Sequence, residues 1–224
     1  MANSLQVHLR ERGVASHSQV TRSEVKEGSQ IAGVILSGGA SRRMGTPKAL
    51  LQFQGETFLD RLIRLFSAAC DPVIVVVGEH ADAIRSGIAR GREVLFAVNP
   101  DPERGMLSSL QCGLALVPPE AAAAMFLPVD HPHIEAATLE ALAARFKADR
   151  APVTVPTYLG EHGHPVCIAR PVIDELLALP LDGKASDVIH RHVPQTTYVE
   201  VHDAAVITDV DDPNGYADLL ARHL

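Results

Sequence analysis

A chain of 224 residues is most economically read as one domain, because that length buries roughly 70 to 75% of its unfolded surface around a single core. The formal net charge of -7 argues against a broad nucleic-acid surface, which would call for a basic face; the 46% of hydrophobic residues include no apolar run near the ~20 residues that cross a bilayer. Cys70, Cys112 and Cys167 lie far apart with no C-x-x-C pair, which speaks against a zinc knuckle or a disulfide framework and fits a soluble protein of the reducing cytoplasm.

Residues 1–30 mix charge with Ser and Gln and lack the apolar core of a secretory signal, so they read as a flexible or peripheral extension to a domain over 31–224. Short apolar runs then alternate with longer amphipathic ones. Strands are expected at 31–36, 73–77, 94–98 and 125–129, and helices at about 57–69, 81–89, 107–116 and 136–147. Phe58, Leu62, Leu65, Phe66 and Ala69 set the helical spacing of the first of these. The alternation predicts an α/β, three-layer, Rossmann-like sandwich with right-handed crossovers on a mainly parallel sheet. Shorter strands expected at 152–156, 165–169, 197–201 and 206–209 make that sheet mixed in its second half. In such sheets ligands bind beyond the carboxyl ends of the strands.

Directly after the first strand stands Ser37-Gly38-Gly39-Ala40-Ser41-Arg42-Arg43-Met44-Gly45-Thr46-Pro47-Lys48. Consecutive glycines turn sharply and present bare N–H groups to an anion, while Ser41, Arg43 and Lys48 add donors and charge. A solvated basic loop would explain two glycines and a few charges in isolation, and Arg42 fits that description. Position after the first strand and concentration of charge in an acidic chain favour a phosphate cradle instead. The spacing matches neither G-x-x-x-x-G-K-[ST] nor G-x-G-x-x-G, which excludes the two common phosphate loops.

The string resembles the L-x-x-G-x-S-x-R-M-G-x-x-K signature of the small nucleotidyltransferases that modify molybdenum cofactor, a MobA-like branch of the GT-A-like superfamily. It matches at Leu36, Gly39, Ser41, Arg43, Met44, Gly45 and Lys48. The resemblance implies that Arg43 and Lys48 contact the triphosphate and that backbone at Leu36, Ser37, Gly38 and Gly39 meets the base. Asn99, Pro100, Gly105, Met106, Ser108, Ser109 and Leu110 are similar to the family's N-P-x-x-x-x-G-M-x-S-S-L element, which borders the nucleotide.

Asp130, after the fourth strand, stands on the same edge as the glycine loop, where a carboxylate suits Mg2+. A cap for a helix starting near Ile134 is nearly as good a reading of the residues alone. The resemblance favours the metal, with the family's G-D-Q-P replaced here by Val129-Asp130-His131-Pro132. Asp209-Val210-Asp211-Asp212-Pro213 looks like the family's D-I-D-T-P-E-D segment. Alternate residues of an extended chain face opposite ways, so only one of Asp209 and Asp211 is expected to share the metal, and Asp211 is favoured. Asp212 reads as a helix cap before Pro213. The resemblance further implies that His164, in a G-H-P-V segment, positions the acceptor phosphate, with Lys184 as a second acceptor contact.

The expected activity is a Mg2+-dependent nucleotidyl transfer from a nucleoside triphosphate, CTP ahead of GTP, to a small phosphorylated acceptor of the molybdopterin type, with Arg43, Lys48 and Asp130 carrying catalysis. The departure of Ser37-Gly38-Gly39 from the cytidylyl Ala-Ala-Gly keeps guanylyl and sugar 1-phosphate transfer open. A non-catalytic nucleotide-binding module would keep the glycine loop and lose the carboxylates. No nucleic acid or membrane is expected as a partner, and a molybdoenzyme or its chaperone is the candidate protein partner.

Overall fold

The structure is a computed structural model that describes residues 29–39, 41, 43–180 and 182–223. Most of the expected amino-terminal extension, and the solvated reading of Arg42, therefore lie outside the described residues.

In chain order, β1 (Ile31–Ser37) leads to a small hairpin of β2 (Gln52–Phe53) and β3 (Glu56–Thr57). There follow α1 (Phe58–Ala69), β4 (Val73–Val77), α2 (Ala81–Gly87), β5 (Leu95–Val98), α3 (Met106–Leu114) and β6 (Ala123–Pro128). The second half runs through α4 (Ala136–Asp149), β7 (Val153–Tyr158), β8 (Glu161–His162), β9 (Val166–Ala169), α5 (Arg170–Leu177), α6 (Ala185–Arg191), β10 (Thr197–Glu200) and α7 (Pro213–Arg222). The expected strands and helices fall within a residue or two of these bounds, with one exception. The strand expected at 206–209 is absent. Ala204–Val206 forms a 3-10 turn instead, closed by the Asp203 carboxylate accepting from Ala205 N at 3.0 Å. Alternating Val206, Thr208 and Val210 imitate a strand, but two isolated backbone bonds, His164 N to Val206 O and Val210 N to Asp130 O, both 2.8 Å, take the place of a ladder.

The main sheet has the order β10-β7-β9-β6-β1-β4-β5, with β8 on β7. Pairing is parallel for β6-β1-β4-β5 and for β10 with β7, and antiparallel where β9 meets β6 and β7, so the sheet is mixed and mostly parallel. Side chains of β1 alternate between two cores. Ile31 and Ile35 pack with Phe58, Leu62, Phe66 and Phe146 on one face, while Val34 and Leu36 pack with Leu110, Leu114, Ile173 and Leu176 on the other. Helices thus cover both faces of the sheet, in three layers.

Two buried carboxylates hold the helices to this frame. Thr57 caps α1 by accepting from Asp60 N, and Asp60 in turn accepts from Thr57 Oγ1 and from the backbone N–H groups of Ala89 and Arg90. Asp203 accepts from Glu135 N and Thr138 Oγ1 at the start of α4. The cap of α4 therefore comes from Asp203, which frees Asp130 from the capping role considered for it.

The four parallel strands end along one edge. There Asn99 follows β5, Gly78 follows β4, Gly38 follows β1 and Asp130 lies just beyond β6. Beneath this edge His164 is largely buried beside Phe126 and His131, with ring centroids 6.0 and 5.5 Å away. Burial, with a smaller contribution from His131, pushes the His164 pKa down to about 4, and burial does the same to His133.

A histidine neutral in the fold but ordinary when unfolded binds its proton first in the unfolded chain. Its contribution is complete above pH ~6.5 and is lost as pH falls toward ~4. The melting temperature should therefore drop between about pH 6.5 and pH 5, above the range in which carboxylates titrate. His164→Gln should flatten that slope in calorimetry, and an unchanged slope would contradict the assignment.

Candidate active site

The loop after β1 is built by close backbone approach. A Cβ on Gly78 would lie 2.5 Å from the Gly38 carbonyl oxygen, and a Cβ on Gly38 would lie 2.9 Å from Ser109 Oγ. The turn after β4 can touch the turn after β1 only because Gly78 carries no side chain, and Gly38 leaves room for Ser109 at the start of α3. Buried Asn99 pins the start of α3 by donating from Nδ2 to Ser108 Oγ at 2.9 Å and Ser109 Oγ at 3.0 Å. Gly105, at φ +93°, supplies the bend into that helix.

Ser41 sits in the left-handed region at φ +47° and accepts from Lys48 N at 3.1 Å, which closes the loop on itself. Lys48 then reaches across the sheet edge. Its ammonium donates to Asp211 Oδ1 at 2.7 Å and to Asp130 Oδ2 at 3.1 Å. Arg43 Nη1 stands 4.0 Å from Asp211 Oδ2 and is mostly exposed. Asp130 Oδ1 is buried and, among the described residues, has no hydrogen-bond partner; His131 Nε2 lies 4.0 Å away, while His131 Nδ1 donates to the Ala205 carbonyl. Asp130, Asp209 and Asp211 can each turn an oxygen to a point where all three lie within 4.8 Å of one another. An all-oxygen donor set with one unsatisfied oxygen suits a hard divalent cation.

These features open on one cavity of about 830 Å³. A scan against family models matches residues 33–196 to the MobA-like NTP transferase domain. The chain belongs to the MobA-like NTP transferase family. The match takes in the glycine loop, Lys48 and Asp130.

Relatives of the transferase agree. The chain is 24% identical over 197 residues to the molybdenum cofactor cytidylyltransferase of Escherichia coli (strain K12), covering 87% of this chain and 98% of that protein. It is 36% identical over 110 residues to a probable molybdenum cofactor guanylyltransferase of Synechococcus elongatus, covering 49% of this chain and 55% of that one. The crystal structure of Rv0371c from Mycobacterium tuberculosis H37Rv superposes with a TM-score of 0.76 at 33% identity, over 86% of this chain and 97% of that one. A manganese complex of Rv0371c has also been solved, with a TM-score of 0.72 at 30% identity over 86% of this chain and 98% of that one. The architecture of the transferase is accordingly the GT-A-like nucleotidyltransferase fold.

Of the residues singled out in the sequence, Leu36, Ser37, Gly38, Gly39, Ser41, Arg43 and Lys48 line the cavity, as do Gly105, Met106, Ser109, Asp130 and Asp211. Ser108 stands behind the wall, donating to the Gly105 carbonyl. Neither His164 nor Lys184 lines it. Gly163, whose Cβ would lie 2.0 Å from the Val206 carbonyl oxygen, presses the His164 segment onto the 3-10 turn, and Lys184 starts α6. Asp209 reaches the carboxylate cluster together with Asp211, contrary to the alternation argument. Asp212 caps α7 by accepting from Asn214 N and Gly215 N. Glu79 and Glu103 also line the cavity. No motif spacing marked them, and only the strand order brings them to this edge.

Burial alone would lower the Lys48 pKa, yet its hydrogen bond to Asp211 and the charge of Asp130 outweigh burial and raise it. The same hydrogen bond holds the Asp211 carboxyl below its usual range. Removing one preorganised cation of this kind costs ~10² or more in turnover. Lys48→Ala should show that loss with an unchanged circular dichroism spectrum, and wild-type turnover would rule out the role. Asp130→Asn should abolish most metal-dependent activity, and a variant with wild-type metal dependence would rule out Asp130 as a ligand.

Proposed function

We propose that the chain, through a domain spanning residues 31–224, transfers a nucleoside monophosphate from a nucleoside triphosphate, CTP by preference, to the phosphate of a molybdopterin-type cofactor and releases pyrophosphate. The carrying observation is the Lys48 ammonium seated on Asp130 and Asp211 at the mouth of a glycine-lined cavity. A phosphate oxygen of the acceptor attacks the α-phosphorus, and the bond to the pyrophosphate breaks. Chemistry of this kind is mostly positioning and charge neutralisation, so no protein nucleophile is needed. The N–H groups around Gly38 and Gly39 receive phosphate oxygens, and Arg43 and Lys48 balance the charge of the leaving pyrophosphate. Asp130, Asp209 and Asp211 would hold Mg2+, whose contribution is to neutralise phosphate oxygens. A molybdoenzyme or its chaperone is the proposed receiver of the product.

CTP is favoured by the match to the cytidylyltransferase, which covers 87% of this chain and 98% of that protein. A guanylyl reading has its own support in the paired Gly38 and Gly39 and in the higher identity, over about half their length, to guanylyltransferases. A thermal-shift screen with CTP, GTP, UTP and ATP in Mg2+ separates the two. The true donor, at 100 times its dissociation constant, stabilises by ~2.7 kcal/mol. CTP should give the largest shift and should release pyrophosphate when a molybdopterin acceptor is added. A larger shift with GTP would move the assignment to guanylyl transfer, and the absence of pyrophosphate release with every triphosphate would overturn it.

A further inference from the structure

We propose that Glu79 reads the base of the nucleotide, accepting a hydrogen bond from an exocyclic amino group and so selecting against bases that lack one. The inference rests on the nucleotidyl-transfer reading and concerns the opposite end of the same cavity.

Charge along that cavity is sorted by strand order. Arg43 and Lys48 follow β1, and the Asp130 and Asp211 cluster lies beyond β6. On the other side of β1, at the ends of β4 and β5, the lining carries Glu79 and Glu103 with the apolar surfaces of Ile84 and Met106. A triphosphate belongs at the end with Arg43 and Lys48, where the carboxylate cluster is paired with Lys48 and would hold a divalent cation, whereas Glu79 and Glu103 have no such cluster beside them. What remains for the acidic end is the part of the nucleotide that carries N–H donors and flat apolar faces, which is the base.

Glu79 is held there by backbone on both sides. The residue before it, Gly78, packs against the Gly38 carbonyl oxygen too closely to admit a Cβ. After it, Ala81 N donates to the Gly78 carbonyl at 3.1 Å, and Ile84 N to the His80 carbonyl at 2.9 Å, as α2 begins. The Glu79 backbone is therefore fixed relative to the glycine loop, while its exposed side chain makes no ion pair with another described residue. A carboxylate can only accept. It is satisfied by the N4 amino group of cytosine or the N2 amino group of guanine, whereas the O4 oxygen of uracil would meet it lone pair to lone pair. Half-exposed Met106 supplies apolar surface for the ring, with buried Ile84 backing the wall.

The test compares matched pairs, CTP with UTP and GTP with ITP, in wild type, Glu79→Ala and Glu79→Gln. Both dissociation constants in Mg2+ and kcat/KM for pyrophosphate release are read. A hydrogen bond to a charged group predicts that wild type prefers the amino-bearing member of the donor's pair by about 10- to 100-fold. Glu79→Ala should bring the ratio to within about threefold, chiefly by weakening the amino-bearing member. Glu79→Gln, whose amide can also donate, should improve UTP relative to wild type. An unchanged ratio in both variants, an equal loss for both members of a pair, or no preference in wild type would overturn the role of Glu79. Preference without pyrophosphate release would overturn the transferase reading and leave Glu79 standing. Turnover with an unaltered ratio would do the reverse, and binding of no triphosphate would overturn both.

Discussion

The site depends on one ammonium group placed between carboxylates. Lys48 leaves the loop after β1, crosses the sheet edge and settles on Asp130 and Asp211, so it joins pieces of chain 82 and 163 residues away from it. Burial works against a charge there, and the paired carboxylates more than offset it, which is why the Lys48 pKa rises and that of Asp211 falls. The carboxylates converge strongly enough to call for a cation. One of their oxygens, Asp130 Oδ1, lacks any hydrogen-bond partner among the described residues.

That placement is possible because backbones approach where side chains are missing. Gly78 against the Gly38 carbonyl brings the ends of β1 and β4 together, and Gly163 against the Val206 carbonyl seats the turn that leads toward Asp209 and Asp211. Buried polar groups fix the remaining walls: Asn99 holds the start of α3, and Asp203 serves both the 3-10 turn and the start of α4. The candidate edge is thus a seam of close-packed glycines and of hydrogen-bonded Asn99 and Asp203 laid over two apolar cores.

Membership of the MobA-like family places this seam in a lineage of nucleotidyltransferases, and the family match over residues 33–196 includes most of it. The acidic segment at Asp209 and Asp211 lies beyond that match, yet the structure folds it back onto Asp130 through the Val210 to Asp130 backbone bond. Among the described residues no helix is long and apolar enough to cross a membrane.

By itself the sequence determined what short-range physics controls. Apolar periodicity located the expected strands and helices other than 206–209 to a residue or two, while α5, α6 and the short β2, β3 and β8 went unmarked, and the glycine loop with Arg43 and Lys48 suggested a phosphate cradle through its place after the first strand and its charge. Asp212 beside Pro213 was legible as a cap for the same reason. Tertiary structure decided everything that needed distant segments to meet. In place of the strand expected at 206–209 stands a 3-10 turn at Ala204–Val206, capped by Asp203, and Asp209 lies in the carboxylate cluster together with Asp211. His164 and Lys184 were drawn to the acceptor by motif, but the packing set them outside the cavity wall. Glu79 and Glu103 carried no pattern at all, since an isolated carboxylate has no periodicity. Only the lateral order of β5, β4, β1 and β6 gave them a side of the cavity opposite to Lys48.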